Sequence, residues 1–270
     1  MFVSPMLLQK SESASESMEL INELKLDGIR LILSKFNHNI KLYTRHGNEV
    51  TYIFRDLLTL DVPEGTILDG ELVVPGKNGA PDFEAAMEVF RSSKSAHFYQ
   101  FCAFDVIYYK NEKITSMPLL DRKMILDSLD IEHPNFVVTK WMLGYGPEYF
   151  ELTKQQGLEG ICQKRKDSTY EHRRSPSWRK LINYQYDGSV SIVGLQKDKF
   201  GWLLQFSDGR AAGIMEFVPP ADRKKLYKEK RLLEQSDKYY FIEPVPCTVK
   251  YRNLTKNGLL RIPSFVSWNE

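Results

Sequence analysis

Little in this sequence suits a disulfide framework, a membrane or a strong electrostatic field. Three cysteines occur, Cys102, Cys162 and Cys247, far apart and with no C-x-x-C pair. That spacing excludes a structural zinc ribbon and a disulfide network, and fits a reducing cytoplasm. The 37 Lys and Arg residues nearly balance 35 Asp and Glu, for a formal charge of +2. Composition alone therefore announces no polyanionic partner. No apolar run is long enough to span a bilayer, so no membrane partner is expected. The N-terminus, Met1-Phe2-Val3-Ser4-Pro5, has no basic segment of the kind that opens a secretory signal. No internal repeat is visible. What remains is a cytoplasmic chain of 270 residues, 42% of them hydrophobic, enough to build one large core or two modest ones. The one biased stretch, SESASES at Ser11–Ser17, reads as a polar surface loop.

Residues 18–186 read mainly as strands with a few helices. HNIKLYTRHG and NEVTYIF suggest two strands joined at His46-Gly47-Asn48. EGTILDGELVVPG reads as a strand, and APDFEAAMEVFRSSKS has helical spacing. FYQFCAFDVIYYK is a strand apolar on both faces. LLDRKMILDSL and GPEYFELTKQQG read as helices, and GLEGICQKR and SWRKLIN as strands. After Tyr186-Asp187-Gly188 the texture changes to short strands punctuated by Gly, Asp and Pro, with one helical piece, PADRKKLYKEKRLLEQ. The pattern predicts an α+β domain over 1–187, a hinge near Asp187-Gly188, and a small closed barrel such as an OB-fold over 188–270.

Chemistry concentrates in the first domain. In ELKLDGIR, strand alternation puts Glu23, Lys25 and Asp27 on one face, and Gly28 permits close approach of a ligand or another backbone. In LDGELV, Asp69 and Glu71 alternate onto one face beside Gly70, a pair suited to a divalent metal or ribose hydroxyls. Asp105 lies within an apolar strand, where an unpaired carboxylate is costly and needs a hydrogen bond or a task. Phe104 beside it offers a flat face for a base, and equally a place in the core. Glu159 opens a strand before Gly160. Arg173, Arg174 and Lys180 bring cations near Trp178, and Arg45 ends YTR before a turn.

The order K-x-D-G-x-R, L-D-G-E-L, a hydrophobic run ending F-D-x-x, E-G-x-x-x-K and W-x-K resembles the ATP-dependent DNA ligases. These belong to the covalent nucleotidyltransferases, with the RNA ligases and mRNA capping enzymes. The likeness runs from Pro5-Met6-Leu7 to LRIPSF, in the proportions of the minimal bacterial and phage ligases. It implies a nucleotidyltransferase adenylation domain of antiparallel sheets and helices, an ATP-grasp-like ligase core, followed by an OB domain. It implies ATP and Mg²⁺ or Mn²⁺ as cofactors, nicked duplex DNA as partner, and a monomer. Lys25 then corresponds to the nucleophile that takes AMP from ATP, assisted by Lys180. Glu23 falls near the adenine edge, Arg30 and Arg45 on phosphate or ribose, and Phe104 stacks on adenine. Glu71 serves the ribose or a metal, Asp27 and Glu159 a metal, and Arg174 and Lys180 the phosphates. The basic run Arg223, Lys224, Lys225, Lys228, Lys230 and Arg231 offers contacts to a DNA backbone, or a solvated helix face.

Two positions depart from the family. Ile182 stands where a second lysine follows W-x-K, and Asn269 stands where an arginine is usual in the C-terminal motif. The second departure implies slow self-adenylation from ATP and comparatively better sealing of pre-adenylated nicks. Two other readings stay open: an RNA ligase or GTP-using capping-type enzyme, and a degenerate nick or end binder without catalysis.

Overall fold

Residues 1–92 and 94–269 are described in this computed structural model. The chain divides into Met1–Asn183 and Tyr184–Glu270. In the first unit, β1 (Leu7–Lys10) precedes the serine-rich loop, and β2 (Leu20–Leu24) and β3 (Ile29–Phe36) follow it. The stretch around Lys25 is thus two strands, separated by Lys25–Gly28. A Cβ at Gly28 would collide with the Leu72 carbonyl oxygen, so only glycine lets this break lie against the neighbouring backbone. β4 (Asn39–Thr44) pairs back on β3. The second strand expected after His46-Gly47-Asn48 is reduced to an isolated bridge, Tyr43 to Glu49, followed by a 3₁₀ turn over Arg55–Thr59. The buried residues there are Val50, Phe54 and Leu57, a helical spacing that a strand cannot aim at one core.

β5 (Thr66–Val73) leads to α1 (Phe83–Arg91), whose N-cap Asp82 accepts from the Ala85 N–H at 2.9 Å, satisfying one of the helix's unpaired donors. β6 (Gln100–Tyr109), β7 (Glu112–Lys113) and α2 (Leu119–Asp127) follow. Then come β8 (Phe136–Val138), β9 (Trp141–Leu143), α3 (Gly146–Gln155), β10 (Gly160–Arg165) and β11 (Arg174–Ile182). Two sheets result, ordered β4-β3-β5-β6-β7, with β8 also on β6, and β1-β11-β10-β2-β9. β1–β11 and β6–β8 are parallel, and the other pairs are antiparallel.

The central strands of the first sheet, β3, β5 and β6, are largely buried on both faces, which explains why β6 reads as a continuous apolar run. Leu31, Leu33, Leu68 and Val106 point to one core with Ala85, Ala86 and Val89 of α1. Their neighbours Ile32, Ile67 and Ile107 point to a second core shared with Ile21 and Trp178 of the other sheet. Asp105, fully buried, receives two hydrogen bonds from Arg122 of α2, at 2.8 and 2.9 Å. Arg122 also donates to the carbonyls of Met117 and Ser168. The carboxylate within the apolar strand is therefore a structural tie.

The second unit contains β12 (Gln185–Gln196), β13 (Trp202–Phe206), β14 (Ala211–Met215), α4 (Pro220–Glu229), β15 (Leu232–Gln235), β16 (Tyr239–Tyr251) and β17 (Ser264–Trp268). The strands run β14-β13-β12-β16-β15, with β17 on β16, around Ile192, Trp202, Val249 and Phe265. Asp187 and Gly188, the expected hinge, lie inside β12. Gln185 already pairs with Tyr251, so the residues before Asp187 join this unit. The helical piece ends at Glu229, and its last residues form β15 because β16 offers a strand to pair with. On α4, Arg223 donates to the Val218 carbonyl at 2.9 Å and sits 3.6 Å from the Phe200 ring centroid. Lys224, Lys225 and Lys228 are exposed. Among the described residues, no helix is long and apolar enough to cross a membrane.

Candidate active site

Lys25 follows the last residue of β2, and its backbone N–H donates to the Gly160 carbonyl at 2.9 Å. The strand's register with β10 is thereby carried just past its end. Lys25 lines a cleft in the first unit, whose walls include Glu23, Arg30, Glu71, Phe104 and Lys164. β2, β3, β5, β6 and β10 each contribute, so both sheets build the site.

The Lys25 ammonium donates to Glu159 at 2.8 Å. Burial opposes the charge, but Glu159, together with Cys162 and Glu71, outweighs it, and the pKa of Lys25 lies above the ordinary lysine value. The unliganded amine is protonated and not yet a nucleophile. Glu23, the carboxylate nearest in sequence, is engaged elsewhere: it contacts Lys123 of α2, and Lys164 of β10 at 2.5 Å. Burial pushes Lys164 down to about 8 and Lys123 well below the usual range. One carboxylate thus serves two amines that burial discourages from both being charged. The Lys164 ammonium lies 4.4 Å from the Phe104 centroid and 4.2 Å from that of Trp178, within reach of both ring faces.

Arg30 makes a two-pronged contact with Asp69, at 2.9 and 2.6 Å, and Tyr170 donates to the same carboxylate at 2.6 Å. Asp69 is fully buried, and its pairing holds Arg30 5.1 Å from the Phe104 centroid. Asp69 and Glu71 were expected to act as a pair on one strand face. A register shift between Asp69 and Gly70 interrupts the pairing with β6. Asp69 is consumed by Arg30 and Tyr170, and Glu71 alone reaches the cleft. Burial raises Glu71 to about 7, against the opposing pull of Lys25 and Arg30.

Of the residues singled out in the sequence, Glu23, Lys25, Arg30, Glu71 and Phe104 line the cleft, and Glu159 meets Lys25 there. Asp27, Arg45, Arg174 and Lys180 do not line it. Asp27 lies in the loop beyond Lys25. Arg45 follows β4, exposed, and donates to His46 Nε2 at 3.0 Å. Arg174 opens β11, exposed, and donates to the carbonyl of the cleft residue Leu8. Lys180 stands opposite Cys162 in the β10–β11 ladder. Ile182 is buried at the end of that strand. Among the described residues, no group of three or more His, Cys, Asp or Glu is arranged to hold a metal, so Asp27, Glu71 and Glu159 do not form one cage. Two carboxylates, Glu71 and Glu159, remain beside Lys25. That donor set fits Mg²⁺, which commonly takes one or two carboxylates and completes its shell with phosphate oxygens and water.

Sequence reasoning quoted Lys164 within E-G-x-x-x-K without giving it a task, and missed Lys123 and Tyr170. The helical pattern around Lys123 carries no sign that its amine crosses to β2.

Residues 5–181 match the family model described as the ATP dependent DNA ligase domain. The chain is 52% identical over 269 residues to the SPbeta prophage-derived DNA ligase-like protein LigB of Bacillus subtilis (strain 168), covering 99% of each. It is 28% identical to the multifunctional non-homologous end joining protein LigD of Mycolicibacterium smegmatis, over 97% of this chain and 38% of that protein. A solved Lig E DNA ligase structure has the same fold, with a TM-score of 0.70 at 18% identity and all of both chains covered. The chain belongs to the ATP-dependent DNA ligase family, enzymes that form phosphodiester bonds at the expense of ATP.

Proposed function

We propose that this chain seals nicks in duplex DNA through a covalent AMP on Lys25. The observation that carries the reading is the Lys25 amine at the wall of a cleft that also holds Arg30, Lys164, Phe104 and Glu71. Attack needs the neutral amine, so the Lys25–Glu159 contact has to give way as ATP enters. Burial, with its main opponent removed, then lowers the amine's pKa. In the first step the Lys25 nitrogen bonds to the α-phosphorus and the bond to pyrophosphate breaks. In the second, a 5′-phosphate oxygen of the nick displaces Lys25 and takes the AMP. In the third, the 3′-hydroxyl attacks the 5′-phosphate and AMP leaves. All three are displacements at phosphorus, where positioning and charge neutralisation dominate.

In this reading Phe104 carries the base, and Glu23 with Lys164 offers it an acceptor and a donor. Arg30, held by Asp69, faces ribose or phosphate. Arg45, Arg174 and Lys180, outside the cleft wall, meet phosphates of ATP or of the nicked strand. Glu71 and Glu159 would hold Mg²⁺ or Mn²⁺, with Asp27 turned toward the nicked strand or that metal. A bound divalent cation neutralises charge on the phosphates. The second unit, antiparallel strands with α4 between β14 and β15, suits an OB-fold. Lys224, Lys225 and Lys228 of α4 supply backbone contacts to the duplex. The enzyme acts as a cytoplasmic monomer.

The test is nick sealing with ATP and Mg²⁺, alongside a pre-adenylated nick, and labelling with α-labelled ATP and GTP. Sealing of a nicked duplex and labelling by ATP alone are expected. Labelling by GTP in place of ATP points to a capping-type enzyme. Absence of product from both DNA substrates overturns catalysis.

A further inference from the structure

Among the described residues, a threonine hydroxyl in the cleft wall has no hydrogen-bond partner. Thr139 follows β8 and lines the cleft with Phe104, Glu23 and Lys164. Its backbone is fixed, because its N–H donates to the Ala103 carbonyl at 2.9 Å, one residue before Phe104. Its hydroxyl oxygen is buried and, among the described residues, has no hydrogen-bond partner. Buried hydroxyls are normally paired, and one left unpaired is destabilising. Glu23, on the same cleft wall, forms ion pairs with Lys123 and Lys164. Threonine has more than one accessible χ1 rotamer. A step of about 120° between rotamers moves the hydroxyl into the direction its methyl held, so the oxygen can turn to the cleft without moving the backbone.

We propose that Thr139 is a nucleotide-binding residue whose hydroxyl hydrogen-bonds the polar edge of the base carried on Phe104. The inference rests on the reading of this cleft as the ATP pocket. A hydroxyl both donates and accepts, so it serves an exocyclic amine or a ring nitrogen. Its place beside the Phe104 strand assigns it to the base, away from the phosphates that Lys25 must meet.

The test uses the full chain with Thr139→Val, which keeps the shape and removes the hydroxyl, and Thr139→Ser, which keeps the hydroxyl. Binding of ATP and of inorganic tripolyphosphate is measured by calorimetry, and melting of the unliganded protein by thermal unfolding. Thr139→Val is expected to weaken ATP about three- to tenfold, the range of a neutral hydrogen bond. Tripolyphosphate binding should not change, and the unliganded melting temperature should stay level or rise. Thr139→Ser should bind ATP as the native chain does. Three results each overturn the inference: unchanged ATP affinity in Thr139→Val, an equal loss for tripolyphosphate, or a lowered melting temperature, which would mean that the hydroxyl already has a partner. If the native chain binds ATP and labels Lys25, such a result leaves the proposed function standing. If it does neither, both fall.

Discussion

Replacing Asp69 with asparagine removes the charge that fixes Arg30 in the cleft. Asp69 is inaccessible to solvent and accepts three hydrogen bonds, two from Arg30 and one from Tyr170. The Arg30 side chain is 13% exposed, so its charge cannot simply return to water. Removing one partner of a buried pair costs roughly 3–5 kcal/mol, because the other charge is stranded. Tyr170→Phe removes one donor to a charged acceptor, at about 1.5–3 kcal/mol. The two effects should not add. With Asp69→Asn in place, the Tyr170 hydroxyl no longer meets a carboxylate but still accepts from the Met6 N–H at 3.0 Å, so Tyr170→Phe should then cost about 1–2 kcal/mol, less than in the native chain. The assay is urea unfolding of the two single variants and the double variant, followed by a probe in the first unit, with ATP affinity measured beside it. Asp69→Asn should also weaken ATP, because a released Arg30 no longer holds its place over Phe104. An Asp69→Asn cost below about 1 kcal/mol, or full additivity with Tyr170→Phe, would refute the argument that the triad acts as one unit.

Three further outcomes follow from the same geometry. Lys25→Ala should fold and give no acid-labile protein–AMP adduct with α-labelled ATP; any such adduct moves the nucleophile elsewhere. Phe104→Ala should weaken ATP by about 1–3 kcal/mol, the scale of base–aromatic stacking, and leave nicked-DNA binding less affected; equal losses with a lowered melting temperature would make Phe104 core. Glu71 has a folded pKa of about 7, above its ordinary 4.5, so its favourable contribution is complete below the unfolded value and lost as pH rises through 7. Native stability should therefore fall between pH 5 and 8 by up to roughly 3 kcal/mol from this group. Glu71→Gln should flatten that limb without changing stability at pH 4, and an unchanged slope in denaturant unfolding would show that Glu71 is not the group responsible.

The sequence by itself determined the parts whose signal is local or ordered along the chain. The alternation in β5, the two-sided apolar run of β6 and the capped spacing of α1 follow from periodicities of two and 3.6. The ordered motifs picked out ten residues as one site; the cleft contains or touches Glu23, Lys25, Arg30, Glu71, Phe104 and Glu159, but is not lined by Asp27, Arg45, Arg174 or Lys180. What the tertiary structure decided was which charge meets which. In the sequence Asp69 and Glu159 suited a metal or ribose, Glu23 the adenine edge, and Asp105 needed a hydrogen bond or a task. Folding gives Glu23 to Lys123 and Lys164, Asp69 to Arg30 and Tyr170, Asp105 to Arg122, and Glu159 to Lys25. The partners lie up to 141 residues apart in the chain, as between Glu23 and Lys164. Such pairings carry no local signature, because a buried charge is matched only when two sheets and a helix have already been brought together.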